Sequence, residues 1–410
     1  MTTSDVERVL DAWATDGTVL SADRLWGLAE RDRGARHSER RKADTVRRPG
    51  ICGGRAVQGR NMRWLVGMLG LALLAVPLLA QAQTEAVYAL GRFSFENGGE
   101  IADMKVGYVT WGKLNDAKDN AILLLPGTSN GRHFADGHIG PAKTYDTDKY
   151  FVIGLDPIGG GNSSSPKDGL GTAFPKYTIR DMVRAQHALM TKGLGLTHLL
   201  AVGGSSMGSF QSVEWGINYP GFMTGLILIV PAARSDHHFA AVVDAFEAMI
   251  TLDPQYQDGK YTENPTEGIR RAALIYFPWT TSDEYLATLD AAAYQRAKTA
   301  TGDRWVKEWD TNSLLWRYHA SRNYDVSKPF GGDMRKALGQ VQAKALLLAS
   351  MTDRTIPAYL TRELYHGLKD ATYVEIPSIR GHGAGGSPPG TAEYAYISEK
   401  VKAFLAVLQK

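Results

Sequence analysis

The chain has one cysteine in 410 residues, Cys52, and it lies upstream of an apolar run at residues 64–79. With that run read as a cleaved signal, the mature chain holds no thiol. Disulfides, thiolate catalysis and cysteine-ligated zinc are then excluded. A charge surplus is also lacking. The formal net charge is +3, but residues 1–63 carry 13 of the 46 Lys and Arg and 9 of the 43 Asp and Glu. That leaves 33 bases against 34 acids in the rest of the chain, so no nucleic-acid partner is expected. The glycine cluster Gly159-Gly160-Gly161-Asn162 lacks the G-x-x-x-x-G-K-[ST] pattern and reads as a loop rather than a phosphate cradle. Adjacent His237 and His238 have no metal-ligand company. Neither a cofactor nor a metal is implied, and the mature chain shows no internal repeat or low-complexity tract.

What is present begins with an export pattern. Arg63 is followed by the apolar run Trp64 to Leu79 and then by Ala80-Gln81-Ala82, a small-x-small ending. Residues 62–82 therefore read as a secretory signal peptide, and the mature protein is expected in the periplasm or secreted, without stable membrane association. The alternative is an inner-membrane anchor, for which the run is short of the ~20 residues a span needs. Residues 1–61 are Arg-rich in their second half and weakly hydrophobic. They read as a disordered leader, or as sequence upstream of a true start at Met62. A cytoplasmic tail on an anchored form is the other reading.

At 44% hydrophobic and 22% charged residues, the remainder can bury one large core. Continuous apolar blocks recur at Ala121 to Leu125, Tyr150 to Leu155, Leu199 to Val202, Leu226 to Val230 and Ala345 to Ala349. Such blocks suit strands buried on both faces of a parallel sheet. Amphipathic stretches from Thr178, over Gly208 to Asn218 and over Ala392 to Leu408 alternate with them. The pattern predicts a mostly parallel, doubly wound α/β sheet, with Met104 to Val109 as an early antiparallel edge. Residues 235–333 break the rhythm, with no clear strand and many aromatics. They are expected to form a helical lid inserted after the sixth strand, dividing the core into residues 83–234 and 334–410.

The chemistry starts at Gly204-Ser205-Ser206-Met207-Gly208, where a strand runs into G-x-S-x-G and a helix follows. Glycines two before and two after the serine relieve a strained turn that lifts the Ser206 hydroxyl clear of the sheet. A serine needs a base, and the base needs an acid, in the order Ser, Asp or Glu, His along this kind of chain. Asp353 follows the strand ending at Ser350, and His382 follows the strand Tyr373 to Ile376. Asp236 is the runner-up acid. His187 and His366 fall in helical stretches, where packing or surface roles are expected. The oxyanion requires two preorganised N–H groups. Met207, next after the serine, should supply one, and Thr128 in the loop Pro126 to Gly131 the other, with Gly127 beside it as a candidate substrate-binding residue.

Several motifs then share one resemblance. Gly98-Gly99-Glu100-Ile101, Tyr108 to Asn115, Asp119 to Ile122, Asp181 to Gln186, Gln211 with Glu214-Trp215, Asp253-Pro254 with Gly259 and Tyr261, and Asp310 to Leu314 resemble the homoserine O-acetyltransferase family. The likeness spans roughly Gly98 to His382. By position it implies Ser206, Asp353 and His382 as the triad, agreeing with the residue-level reading, and it implies homodimers and a helical lid.

This chain also departs from that pattern. Gly383 stands where the family has an aspartate that helps hold the amino-acid substrate. Ala273 replaces the substrate-side arginine of the pattern G-L-x-x-A-R, leaving Arg270 and Arg271 nearby as candidate substrate-binding residues. Ser205 and Ser209 occupy positions that are usually glycine in the family. Export would also separate the enzyme from acetyl-CoA. The expected function is therefore a serine hydrolase cleaving a small acyl ester, with Trp279, Trp305, Trp309 and Trp316 favouring an apolar or aromatic one. Acyl transfer from acyl-CoA to homoserine or another small hydroxyl is the alternative, and a non-catalytic binding module on the same fold is the third.

Overall fold

The computed structural model describes residues 83–410, so the leader at 1–61 and the signal segment at 62–82 lie outside the described residues. Strands β1 (Thr84–Ser94), β2 (Glu100–Trp111), β3 (Ala121–Leu125), β4 (Phe151–Leu155), β5 (Leu199–Ser205), β6 (Met223–Ile229), β7 (Lys344–Ala349) and β8 (Ala371–Glu375) form one sheet. Their order is β1-β2-β4-β3-β5-β6-β7-β8. The β1/β2 and β2/β4 pairs are antiparallel, and all others are parallel. This is the mostly parallel, doubly wound sheet expected from the apolar blocks.

The reason those blocks are continuous is visible in β3. Leu123 and Leu125 pack into a core shared with helix α1 (Ile179–Ala188) and helix α2 (Met207–Asn218). Ile122 and Leu124 face the opposite core, shared with the C-terminal helix (Ala392–Leu408). Alternate residues of one strand thus serve two cores, and neither face can be polar. Helix α1 starts where the sequence marks it. Thr178 Oγ1 accepts from Asp181 N (3.1 Å) and Asp181 Oδ2 accepts from Thr178 N (3.0 Å), a reciprocal cap.

Strand β1 has no counterpart among the predicted elements. Its register with β2 shifts twice, around Gly91, and most of its side chains are exposed or half-buried. A bulged edge strand carries no clean alternation, so hydrophobic periodicity cannot reveal it.

Between β6 and β7 the chain first builds an excursion of five helices, α3 (His237–Thr251), α4 (Thr266–Thr280), α5 (Asp283–Ala287), α6 (Ala291–Glu308) and α7 (Thr311–Arg322), before a short sixth helix that precedes β7. The two ends of this excursion are tied together, with Ser235 N donating to Tyr324 O (2.9 Å) and Val326 N to Ala233 O (3.1 Å). Asp236, Asp290 and Asp310 cap α3, α6 and α7. Helices α8 (Met334–Leu338), α9 (Ala358–Gly367) and α10 (Ala392–Leu408) complete the body. Among the described residues no helix is long and apolar enough to cross a membrane.

The tightest backbone approach is where α2 meets the end of β3. A Cβ on Gly208 would stand 1.9 Å from Leu125 O. Gly208→Ala should therefore destabilise the fold by about 3 kcal/mol, at the upper end of overpacking costs. Urea unfolding measures it; an unchanged midpoint would mean that the turn has slack the geometry does not show.

Candidate active site

Ser206 sits between β5 and α2 with φ 59° and ψ −125°, a conformation an L-residue rarely holds. Both flanking glycines are required. A Cβ on Gly204 would meet Gly208 C at 2.4 Å and Leu125 O at 2.7 Å, so the motif is dictated by backbone crowding on both sides of the serine. Ser206 N donates to Ile229 O (3.0 Å), which ties the turn to β6.

The structure brings Ser206, His382 and Asp353 together. Ser206 Oγ lies 2.8 Å from His382 Nε2, and His382 Nδ1 lies 2.7 Å from Asp353 Oδ2. The Asp353 side chain is wholly buried and that of His382 is 12% exposed. Asp353 Oδ1 accepts from Thr355 N (2.8 Å) and Ile356 N (2.9 Å). These two amides fix the carboxylate, and the carboxylate in turn selects the tautomer with a proton on Nδ1 and a free Nε2. The loops bearing acid and base are also tied to each other. Ser350 Oγ donates to Gly381 O (2.8 Å) and Gly381 N donates to Thr352 Oγ1 (3.1 Å).

Asp236, the runner-up acid, is elsewhere. It caps α3 by accepting from Phe239 N (2.7 Å), and it accepts from the Tyr359 hydroxyl, whose pKa it pushes up to about 12.

The loop after β3 packs against the serine. A Cβ on Gly127 would be 3.5 Å from Ser206 Cβ, and Gly127, Thr128, Ser129 and Asn130 all line the cavity above Ser206. Met207 is the first residue of α2, so its N–H is one of the amides a helix leaves unpaired. A buried relay connects loop and helix. Gln211 Nε2 donates to Pro126 O (3.2 Å), Gln186 Nε2 to Gln211 Oε1 (2.6 Å), and Trp215 Nε1 to Gln186 Oε1 (2.8 Å).

The cavity over Ser206 and His382 has a volume of about 350 Å³. Each of the five inserted helices contributes to its wall: Phe239 from α3, Tyr276 and Trp279 from α4, Tyr285 from α5, Arg304 from α6 and Tyr318 from α7. Arg380 and Gly383, from the loop that carries His382, complete it. Two sequence expectations are corrected here. Arg270 and Arg271 do not line the cavity. Arg270 pairs with Asp303 (2.5 Å) at the surface and Arg271 is exposed, because the cavity side of α4 is taken by Tyr276 and Trp279. Of the four tryptophans expected to shape the substrate space, only Trp279 reaches it. Trp305 packs on Phe246 and Tyr276, Trp309 lies against the Arg317 guanidinium, and Trp316 Nε1 donates to Phe174 O (2.8 Å).

The cavity's cations were missed. Arg380 lies over the Tyr285 ring (4.9 Å) and 3.7 Å from Glu393, while Arg304 has no ion-pair partner among the described residues. No carboxylate is among the lining residues. Arg380 is two residues from His382 and its sequence position hints at the site; nothing local in α6 marks Arg304.

Comparison with known proteins agrees with this geometry. Residues 120–384 match the family described as alpha/beta hydrolase fold. A homoserine O-acetyltransferase from Trichormus variabilis is 32% identical over 327 residues, covering 74% of this chain and 89% of its own. Among solved structures, an acetylester hydrolase from Corynebacterium glutamicum has a TM-score of 0.74 at 27% identity. It covers 79% of this chain and 96% of its own. A homoserine O-acetyltransferase from Bacillus anthracis has a TM-score of 0.72 at 26% identity, covering 79% and 98%. The chain is an enzyme of the homoserine O-acetyltransferase-like family of α/β hydrolases.

Proposed function

We propose that this enzyme hydrolyses small acyl esters through an acyl-enzyme on Ser206. The observation that carries the reading is a Ser–His–Asp chain opening into a cavity lined by Arg304 and Arg380 and by no carboxylate. Ser206 Oγ attacks the ester carbonyl carbon while His382 Nε2 takes its proton. Asp353 holds the imidazolium through Nδ1. Negative charge collects on the former carbonyl oxygen, with Met207 N–H and Thr128 N–H as its donors. As the intermediate collapses, His382 returns the proton to the departing alkoxide. A water then loses a proton to His382 and attacks the acyl carbon, freeing the acid and restoring Ser206.

The same wall argues against homoserine as the acceptor. Its ammonium would enter a space lined by two guanidinium groups and no carboxylate, an arrangement that disfavours a cation. Gly383 lines the cavity without supplying a carboxylate, and Ala273 is buried at 1% exposure. Acyl transfer to a small hydroxyl stays as the second reading, because the sequence relatives are acetyltransferases. Export through residues 62–82 is part of this proposal, as is a lid role for α3–α7 supported by their shared contribution to the cavity wall.

Ser206→Ala and His382→Ala should each lower ester turnover about 10⁶-fold, and Asp353→Asn about 10⁴-fold, with the fold retained. Asp236→Asn should leave turnover intact; the reverse result would reassign the acid. Steady-state assays on short esters, with circular dichroism as the folding control, decide this.

Release of free acid from short esters should be undiminished by millimolar homoserine, because that acceptor lacks a partner for its ammonium. Product analysis by mass spectrometry separates the readings. Efficient formation of an O-acylhomoserine with little free acid would establish transfer instead.

A further inference from the structure

Arg317, on α7, is 2% exposed, and no described carboxylate lies within ion-pair distance of it. Its Nη1 donates to the carbonyls of Thr128 (2.7 Å) and Asn130 (3.0 Å). The Trp309 ring lies 4.7 Å from the guanidinium, and Nε is buried without a partner. Gly160 yields the remaining space, since a Cβ there would stand 1.9 Å from Nη2. The glycine cluster that the sequence marks as a loop thus has a packing role, since one of its members is what lets a guanidinium fit.

Burying a cation with no carboxylate in direct contact is expensive, and burial here pulls the guanidinium's pKa below its usual value despite the opposing influence of the Tyr177 hydroxyl and the more distant Asp156 carboxylate. Methionine or glutamine would fill most of the same volume at lower cost. The charge therefore has a task beyond packing, and the geometry identifies it. Asn130 N donates to Gly127 O (3.1 Å), closing a tight turn over Gly127 to Asn130. In a trans peptide the C=O and N–H point in opposite directions. Gly127 O faces inward to Asn130, so the Thr128 N–H faces out of the turn. Thr128 O is held by Arg317, so the Ser129 N–H points away from Arg317. The Thr128 and Asn130 carbonyls are pinned by the cation, and the Thr128 and Ser129 amides are left without a partner among the described residues.

Resting on the reading of Ser206 as nucleophile, we propose that Arg317 is a positioning residue for the acyl chemistry. It locks the Gly127 to Asn130 turn with the Thr128 amide presented to the oxyanion and sets a fixed positive charge behind it. The pocket for that oxygen is thus built from two elements far apart in sequence, the loop after β3 and the middle of α7. A positive charge held behind a peptide also polarises its dipole toward the developing anion, without reorganisation during the reaction.

The test uses the full chain with Arg317→Met and Arg317→Lys. In Arg317→Met, hydrogen exchange at the amides of residues 128–131 should accelerate about tenfold or more, reporting the freed turn. On a short ester, kcat should fall about 10²-fold while KM stays within about threefold, because the lost interaction belongs to the transition state. Affinity for a trifluoromethyl ketone, which forms a tetrahedral adduct on the serine, should fall in parallel with kcat/KM. Arg317→Lys should recover part of both, since an ammonium restores the charge but not the planar fork. If Arg317→Met does not fold, Arg317→Lys carries the same readouts, with a smaller loss in kcat and an unchanged KM. A folded Arg317→Met with normal exchange in the turn and normal kcat overturns the proposal, as does a loss carried by KM alone. A wild-type enzyme that a fluorophosphonate fails to label at Ser206 overturns the hydrolase reading beneath it. Labelling with Arg317→Met turnover intact overturns this proposal alone.

Discussion

Everything at the site depends on a backbone collision that two glycines prevent. The turn at Ser206 is held at φ 59°, between Gly204 and Gly208, with Leu125 O within 3 Å of where either side chain would begin. The strain is sustained because β5 is paired on both sides and α2 is buried along almost its whole length. Two consequences follow from the same close approach. The hydroxyl is lifted above the sheet, at the positive end of α2. The loop leaving β3 passes directly beside the serine, so that a Cβ on Gly127 would stand 3.5 Å from Ser206 Cβ.

Electrostatics then shapes what the site can accept. The site joins Ser206, His382 and Asp353, and the surrounding wall offers Arg304 and Arg380 and no carboxylate. Such a wall favours neutral or anionic molecules and disfavours an ammonium. A likeness of 26–27% to both an acetylester hydrolase and an acetyltransferase cannot by itself choose between water and an alcohol as acceptor. The charge of the wall bears on that choice, because water needs no counter-ion and homoserine needs two.

The legible parts of this molecule were those set by local rules. Strands β3 to β7 were readable because both faces are buried and no polar residue interrupts them, and the cap at Thr178 is a four-residue pattern. Ser206, Asp353 and His382 could be found because each sits just past a strand end, where chain order and glycine spacing are diagnostic. Strand β1 was not legible, since its bulge at Gly91 erases the period. Nor were Arg304 and Arg317, whose meaning depends on which face of a helix meets a loop far away in sequence. Arg270 and Arg271 misled for the same reason: α4 turns Tyr276 and Trp279 inward, and the arginines face solvent.

The base is held from two directions, and this constrains the inserted helices. On the body side, Ser350 and Thr352 bind the backbone at Gly381. On the other side, Ser282, the cap of α5, donates to Ile379 O, and Thr355 Oγ1 donates to Trp279 O (3.3 Å) on α4. Gly381 is pressed so closely that a Cβ would stand 2.7 Å from Ser282 N. The segment joining α4 to α5 is therefore part of the scaffold that aims His382, as much as it is part of the cavity wall. It cannot be displaced outward without breaking the contacts that hold the base. Helix α6 carries no such tie: it buries only Gly302 and Trp305, and its Arg304 is exposed at the wall. The inserted helices thus differ in what holds them: the segment joining α4 to α5 is bound to the loop of His382, α7 to the loop after β3 through Arg317, α3 to Tyr359 through Asp236, while α6 is held by other inserted helices, as in its Asp303 pair with Arg270.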